Sequence, residues 1–396
     1  MRMTSTITAT EMRGINRSAV LETIRRHGPI ARTQIAELLQ VSLPTVMRIV
    51  DELIEDELVK PTGVKEWSGG RKRSLLEFNA SGHLIIGVDM NESRLYGAVA
   101  DLAGSIHKEV FLSHQTRGVE SYDLLIGIIE QLLQEAGNMG VNIRGIGVGA
   151  PGITYYEEGV VQWAPTLEWR NFPLKENLAD RFKLPVVLDN DVNISALGEL
   201  YFGVGQQCTN LVLVIIGSGI GAGIIIDGGI YRGSHRTAGE IGFLLPDCSY
   251  MGVRREGYGA LESLASGTSI ATRAREVLSG KLAEEELGTL TAEHVFEAYR
   301  RGESWAIPIV SGMINYLSQM IVTLTVCFDP DMIVISGGVA KSADVFIDPI
   351  YKLIEGVIPV TPKLVVSKLG HRAAIMGAIV EILYNTADFY MVRKLA

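Results

Sequence analysis

Residues 87–97 read GVDMNESRLYG. They extend the apolar run Leu84-Ile85-Ile86, and a second apolar stretch, Leu95 to Ala100, follows them. The pattern is strand, tight turn, strand, with Asp89 near the end of the first strand. A hairpin that cradles phosphate needs glycines in its turn, so that backbone N–H groups can approach closely. This turn carries Asn91 and Glu92, followed by the hydroxyl of Ser93. Side chains there block the approach, and Glu92 adds the wrong charge. Two like unit charges about 4 Å apart repel by about 4 kcal/mol at an effective dielectric of ~20. The stretch predicts the scaffold of a phosphate site without a working phosphate loop.

The same plan recurs at Leu211–Tyr231. The strand LVLVII is followed by the glycine run GSGIGAG, the strand IIID, a Gly228-Gly229 turn and a short strand. Further β runs stand at 143–152 (IRGIGVGAPG) and 330–340 (PDMIVISGGVA). A duplicated β-β-β-α-β-α unit predicts an α/β, two-lobed, actin-like (RNase H-like) body. The expected domains are 1–80, a first lobe at 81–198 completed by about 375–396, and a second lobe at 199–374 that carries a dimerisation surface.

The head reads differently. NRSAVLETIRRHGPI, 16–30, is amphipathic: Val20, Leu21, Ile24 and Ile30 share a face, and Gly28-Pro29 stops the helix. A second helix spans about Arg32 to Leu39, with Ile35, Leu38 and Leu39 inward. Ser42 is placed to cap a third helix with Pro44 in its first turn. That helix buries Val46, Ile49, Val50 and Leu53 and shows Thr45, Met47 and Arg48. Short strands at 58–60 and 74–78 flank a loop with Lys65, Arg71, Lys72 and Arg73 around Gly69-Gly70. This order predicts a winged helix-turn-helix with a basic wing. Ser42, Thr45, Arg48, Arg71, Lys72 and Arg73 are the expected contacts to operator DNA, with the basic residues neutralising phosphates.

Charge agrees with that division. Residues 1–80 carry 12 Lys and Arg against 10 Asp and Glu, while the rest carries 24 against 35. An anionic partner therefore suits the head and not the body. No uninterrupted apolar run reaches membrane length, and MRMTSTITATEMRG lacks the apolar core of a signal peptide. Cys208, Cys248 and Cys327 are too scattered for a disulfide framework. The expected location is cytoplasmic.

Five stretches in order carry a family resemblance: GVGAPG (147–152), LDNDVNISALGE (188–199), GSGIGAGIIIDGGIYRG (217–233), AGEIGF (238–243) and ISGGVA (335–340). Together they resemble the ROK family, named for repressor, open reading frame and kinase. With the winged head, the chain is similar to ROK transcriptional regulators of the xylose and N-acetylglucosamine repressor type. The resemblance implies a sugar kinase fold in which Asp191 matches the catalytic base that takes a proton from a sugar hydroxyl. It implies that Thr166, Asn190, Asp191, Glu240, Phe243 and Glu262 line a sugar site. It also implies that Asp89, Ser93, Gly217, Gly219, Gly337 and Gly338 are remnants of a nucleotide site. Gly217 to Gly223 fit either a phosphate cradle or a close-packed hairpin, and Gly337-Gly338 either an adenine contact or a tight strand-to-helix turn.

Three departures set the functional expectation. The family's Asp-x-Gly-Gly-Thr loop has become Asp89-Met90-Asn91-Glu92-Ser93. The histidine of GEIGH, which serves sugar and zinc, is Phe243, and only Cys248 remains of the zinc-binding cysteine run. No zinc, ATP or magnesium is therefore expected, and packing of Phe243 and Tyr258 is expected to order that loop instead. The expected protein is a sugar-responsive DNA-binding regulator, a repressor that binds its effector without phosphorylating it. Asp191 would then be a vestigial base and the chain no enzyme. The alternative is an ATP-dependent sugar kinase with an appended DNA-binding head. The expected partners are palindromic operator DNA, a sugar, and further copies of the chain in a homodimer or tetramer, with no membrane.

Overall fold

The computed structural model describes residues 9–68, 71–253 and 258–386, with the backbone alone at 9–11, 64–68, 71–73 and 386. Internal contacts divide the chain into two compact units. One is Met1–Val148 with Pro173–Leu188 and Ala378–Leu395; the other is Gly149–Phe172 with Asp189–Gly377.

The first unit begins with α1 (Ala9–His27), β1 (Ile30–Ala31), α2 (Arg32–Leu39), α3 (Leu43–Glu55), β2 (Val59–Ser68) and β3 (Arg71–Phe78). β3 lies between β1 and β2, antiparallel to both. Val20, Ile24, Ile35, Val46, Ile49, Val50, Leu53 and Leu76 form the buried core of this winged helix-turn-helix. Two sequence expectations fail here. Ile30 is not on the first helix but pairs with Leu76 across β1 and β3; Pro29 has no N–H to continue a helix and its ring obstructs the preceding turn. Leu38 is 59% exposed, because the two turns of α2 bury a single stripe at Ile35.

Polar links run from the end of α3 to α1 and to residues 79–83. Arg17 on α1 pairs with Glu52 (3.1 Å) and with Asp56, at the end of α3. His83 Nε2 donates to the Asp56 carbonyl (2.8 Å), and Asn79 donates to the Glu57 carbonyl (2.8 Å). Arg144 adds its guanidinium beside this group, its pKa lowered by burial.

Next come β4 (Leu84–Met90), β5 (Arg94–Asp101) and β6 (Ile106–Ser113), an antiparallel meander, then α4 (Gly118–Gly137) and β7 (Ile143–Ala150). The chain leaves for a small sheet of β8 (Ile153–Tyr155), β9 (Val160–Ala164) and β10 (Trp169–Phe172) in the second unit. It returns for α5 (Leu174–Phe182) and β11 (Val186–Asn190). The large sheet runs β11-β7-β4-β5-β6. Every residue of β4 is buried, as in a strand covered on both faces.

The second unit continues with α6 (Asp191–Tyr201), β12 (Leu211–Ile216), β13 (Ile220–Ile226), β14 (Gly229–Ile230), α7 (Glu262–Ala265), α8 (Gly267–Leu278) and α9 (Glu284–Gly288). After these come α10 (Ala292–Arg300), α11 (Ala306–Phe328), β15 (Met332–Ser336), α12 (Ala343–Ile354), β16 (Leu364–Val366) and α13 (Ala373–Thr386). Its sheet runs β14-β13-β12-β15-β16, the strand order of the first sheet repeated. β12, β15 and β16 are parallel, and β12 with β13 and β14 makes the hairpin part. This is the duplication legible in the sequence. Phe296, Met313, Leu317, Ile321 and Phe346 anchor the core. Among the described residues α11 is long and apolar enough to cross a bilayer, and more than half of its apolar stretch is buried in this core.

The units are cut differently from the domains read from sequence, since 149–172 and 189–198 group with the second. The reason is packing of α6 on β13. A Cβ on Gly223 would lie 2.6 Å from Ala196 Cβ and 2.7 Å from the Val192 carbonyl. α6 also meets α13 backbone to backbone: a Cβ on Gly198 would lie 2.0 Å from the Ala373 carbonyl, and one on Gly377 1.7 Å from that of Ile194. Gly377→Ala must push these helices apart and is expected to cost about 2 kcal/mol. An unchanged denaturant midpoint would show a looser crossing.

Candidate functional site

The sugar-site residues named from the sequence all fall in the second unit. Asn190 is the N-cap of α6: its Oδ1 accepts from the N–H groups of Val192 (2.9 Å) and Asn193 (3.2 Å). Its Nδ2 donates to the Gly152 carbonyl (2.9 Å). The resemblance places this amide in the sugar site; in the structure its oxygen is committed to the helix, which leaves one Nδ2 hydrogen for a ligand. Asp191 is the first residue of α6, where the helix N-terminus favours a carboxylate. The GVGAPG segment backs on it closely, a Cβ on Gly149 lying 3.2 Å from Asp191 Cα.

Behind these residues lies a buried ion pair that sequence reasoning missed. Asp189, 1% exposed, accepts from Arg232 at 2.6 Å. The Arg232 guanidinium lies 4.0 Å from the centroid of the Tyr156 ring, in cation–π range. Asp189 Oδ1 also accepts from the Asn190 N–H (2.7 Å). Arg236 pairs with Glu157 at 2.8 Å. The 232–240 segment is thus pinned both to the end of β11 and to the turn after β8. The available signal was an aspartate closing the apolar run Val186–Leu188: a carboxylate placed there needs a buried cation.

Glu240 follows Gly239, whose φ of +95° and close approach to the Ala222 carbonyl exclude a side chain. Glu240 reaches solvent, yet its carboxyl pKa is raised, first by desolvation and then by the charge of Glu262. Glu262 opens α7 and accepts from the Ile220 N–H (3.0 Å). A Cβ on Gly219 would come within 2.7 Å of its carboxylate and one on Gly242 within 2.9 Å. The structure therefore divides the glycine run: Gly221 and Gly223 are strand residues under α6, and Gly219 makes room for Glu262. Gly217 alone has open space at its Cβ. Gly337, φ +92°, turns tightly against the Ile216 carbonyl, and Gly338 faces open space.

Thr166 sits in a single 3₁₀ turn, Pro165–Leu167, between β9 and β10. Phe243 and Tyr258 are 50% and 48% exposed, so their packing does not order the loop. Polar bonds do so instead. Gln319 donates to the Pro246 carbonyl (2.8 Å), and Asp247 accepts from the Ser249 N–H (2.7 Å).

In the first unit, the turn at 91–94 closes on itself. Asn91 Oδ1 accepts from the N–H groups of Ser93 (3.1 Å) and Arg94 (2.9 Å) and from the Ser93 hydroxyl (3.4 Å). His114 braces it from the end of β6, its backbone N–H on the Ser93 carbonyl and its Nε2 beside the Asn91 carbonyl. Two backbone donors of the turn, those of Ser93 and Arg94, are thus consumed by one carboxamide, and the Asn91 N–H bonds to the Arg94 carbonyl. Asp89 is buried, and desolvation pushes its pKa up to about 6 despite the opposing Arg94 guanidinium 3.4 Å away.

The ROK family model matches residues 85–383, both sheets included. The chain belongs to the ROK family. A MarR family model matches residues 15–61, within the head. The xylose repressor of Caldicellulosiruptor bescii is 28% identical over 96% of this chain and 98% of its own length. The regulator NagC of Escherichia coli is 28% identical over 91% and 90%. A glucokinase of Halalkalibacterium halodurans is 32% identical over 74% of this ROK chain and 92% of its own. Among solved structures, a ROK family transcriptional regulator homologous to Escherichia coli MLC superposes with a TM-score of 0.83. It shares 26% identity and covers 95% of this chain and 98% of its own. A Streptomyces griseus ROK glucokinase with glucose and AMPPNP gives 0.65 at 26% identity, covering 75% and 98%. These three regulators align along nearly the whole ROK chain, whereas the two kinases account for about three quarters of it.

In the head of this ROK chain, Ser42 caps α3 as expected, accepting from the Thr45 N–H (3.4 Å), and the two hydroxyls lie 2.8 Å apart. Arg48 is exposed and makes no ion pair among the described residues. Arg71, Lys72 and Arg73 lie in β3, and their side chains fall outside the described residues.

Proposed function

We propose that the ROK body of this sugar-responsive DNA-binding repressor binds its effector without phosphorylating it. The turn at 91–94 carries the reading: its Ser93 and Arg94 N–H groups bond to the Asn91 side chain rather than facing a phosphate. The sugar half is kept, with Asp191 at a helix N-terminus and Glu240 and Glu262 within reach of each other's charge. Such a set suits a neutral polyhydroxylated ligand. Asp191 accepts from a sugar hydroxyl, with Thr166, Asn190, Glu240 and Glu262 around it. Zinc has no role, since Phe243 cannot ligate and Cys248 stands exposed without cysteine neighbours in sequence. A cytoplasmic homodimer places two heads on a palindromic operator. The sugar acts through its difference in affinity for the DNA-binding and released states.

The test is thermal unfolding against a panel of sugars, each with and without magnesium and ATP. A ligand at a hundred times its dissociation constant stabilises by about 2.7 kcal/mol. One sugar is expected to raise Tm, and ATP is expected to add nothing. The kinase alternative keeps support from Asp191 and from the 32% identity to a glucokinase. Release of ADP that depends on the stabilising sugar would establish it and end the sensor reading.

A further inference from the structure

The first half of α3 exposes an apolar patch. Leu43 is 38% and Met47 47% exposed, one helical turn apart, with exposed Pro44 beside them. Nearby polar groups are largely committed. Ser42 and Thr45 bond to each other at the cap, and Asp51, a turn beyond Met47, pairs with Arg32 at 2.8 Å. Arg48 is the exposed cation of this half of the helix. Buried residues on the opposite face fix which side points out: Val46, Ile49, Val50 and Leu53 are all 0% exposed.

In the major groove, hydrogen-bonding edges distinguish most bases, and the apolar group on offer is the 5-methyl of thymine. We propose that Leu43, Pro44 and Met47 read thymine methyl groups, so that each operator half-site sets thymines against this patch, with Arg48 as its cationic neighbour. The inference rests on the head's binding of DNA and adds the chemistry by which it selects a sequence.

The experiment uses the full chain. Binding sites are selected from a random duplex pool, and each thymine of the selected site is replaced in turn by deoxyuridine. That change removes the methyl and leaves the hydrogen-bonding edge intact. Each contacted methyl is expected to be worth about fourfold in affinity. Met47→Ala is expected to erase the thymine preference at one position, whereas Met47→Leu keeps it. Arg48→Ala is expected to weaken binding and leave the preference in place. The side chain of Met47 is exposed, so these changes spare the fold. Selection of a site indifferent to every deoxyuridine, or equal weakening of thymine and uracil sites by Met47→Ala, would overturn the inference. Recovery of no sequence would remove the DNA-binding reading as well.

Discussion

Arg232→Ala is expected to lower folding stability by about 4 kcal/mol, because it leaves a buried carboxylate without its counter-charge. Asp189 is 1% exposed and the Arg232 side chain 13%, so solvent cannot take over the missing partner. The same change frees the 232–240 segment from the end of β11 and from Tyr156, and the sugar-dependent rise in Tm is expected to vanish with it. Arg232→Lys restores a charge but not the planar stack on Tyr156, and recovery should be partial. Pairing Arg232→Leu with Asp189→Asn removes both charges. That double variant should regain much of the stability while sugar binding stays impaired. Chemical denaturation followed by sugar titration measures both effects. A single variant that loses less than about 1 kcal/mol would mean that the pair is wetter than its burial indicates.

The second large effect lies at Asp89. Its folded pKa of about 6 stands above the ordinary 3.8. A carboxyl raised in this way binds its proton more tightly in the folded state. Its stabilising contribution is full below about pH 4 and is lost as pH rises through about 6. The loss is on the order of 3 kcal/mol for a shift of this size. Asp89→Asn cannot ionise, so it should be more stable than the parent at pH 8 and level with it near pH 4. Melting curves across that range decide the matter. A gap that stays constant with pH would mean that Asp89 is not the group responsible.

Much of this molecule was legible before any coordinates. Ser42, Pro44 and the apolar spacing of α3 mark a capped helix through local chemistry alone, and they appear as read. The duplicated sheet was legible because each copy repeats hydrophobic strands with turn residues between them. What escaped depends on contacts distant in sequence. In the sequence Gly221 and Gly223 fit a phosphate cradle as well as a close-packed hairpin, and the contact of α6 with β13, far away in the chain, decides for the hairpin. Asp189 and Arg232 are 43 residues apart, and no local pattern joins them. Asn190 looked available to a ligand until the helix that it caps was in place. At 91–94 the loss of glycine was plain, but not that Asn91 would take up the freed N–H groups.

α3 carries exposed Leu43, Pro44 and Met47 at one end and, just past the other, Asp56, which Arg17 and His83 hold. Thirteen residues of helix span about 20 Å. Such a rod is a lever. A tilt of about 5° about the Asp56 end carries Leu43 through about 1.7 Å, half the roughly 3.4 Å rise between neighbouring base pairs. Buried Val46, Ile49, Val50 and Leu53 tie α3 to the rest of the head, so such a tilt carries the head as one piece, and a displacement of that size would move a methyl contact out of register. If the proposed methyl contacts hold, a slight shift of the His83 contact to the Asp56 carbonyl would be enough to change what the head can hold.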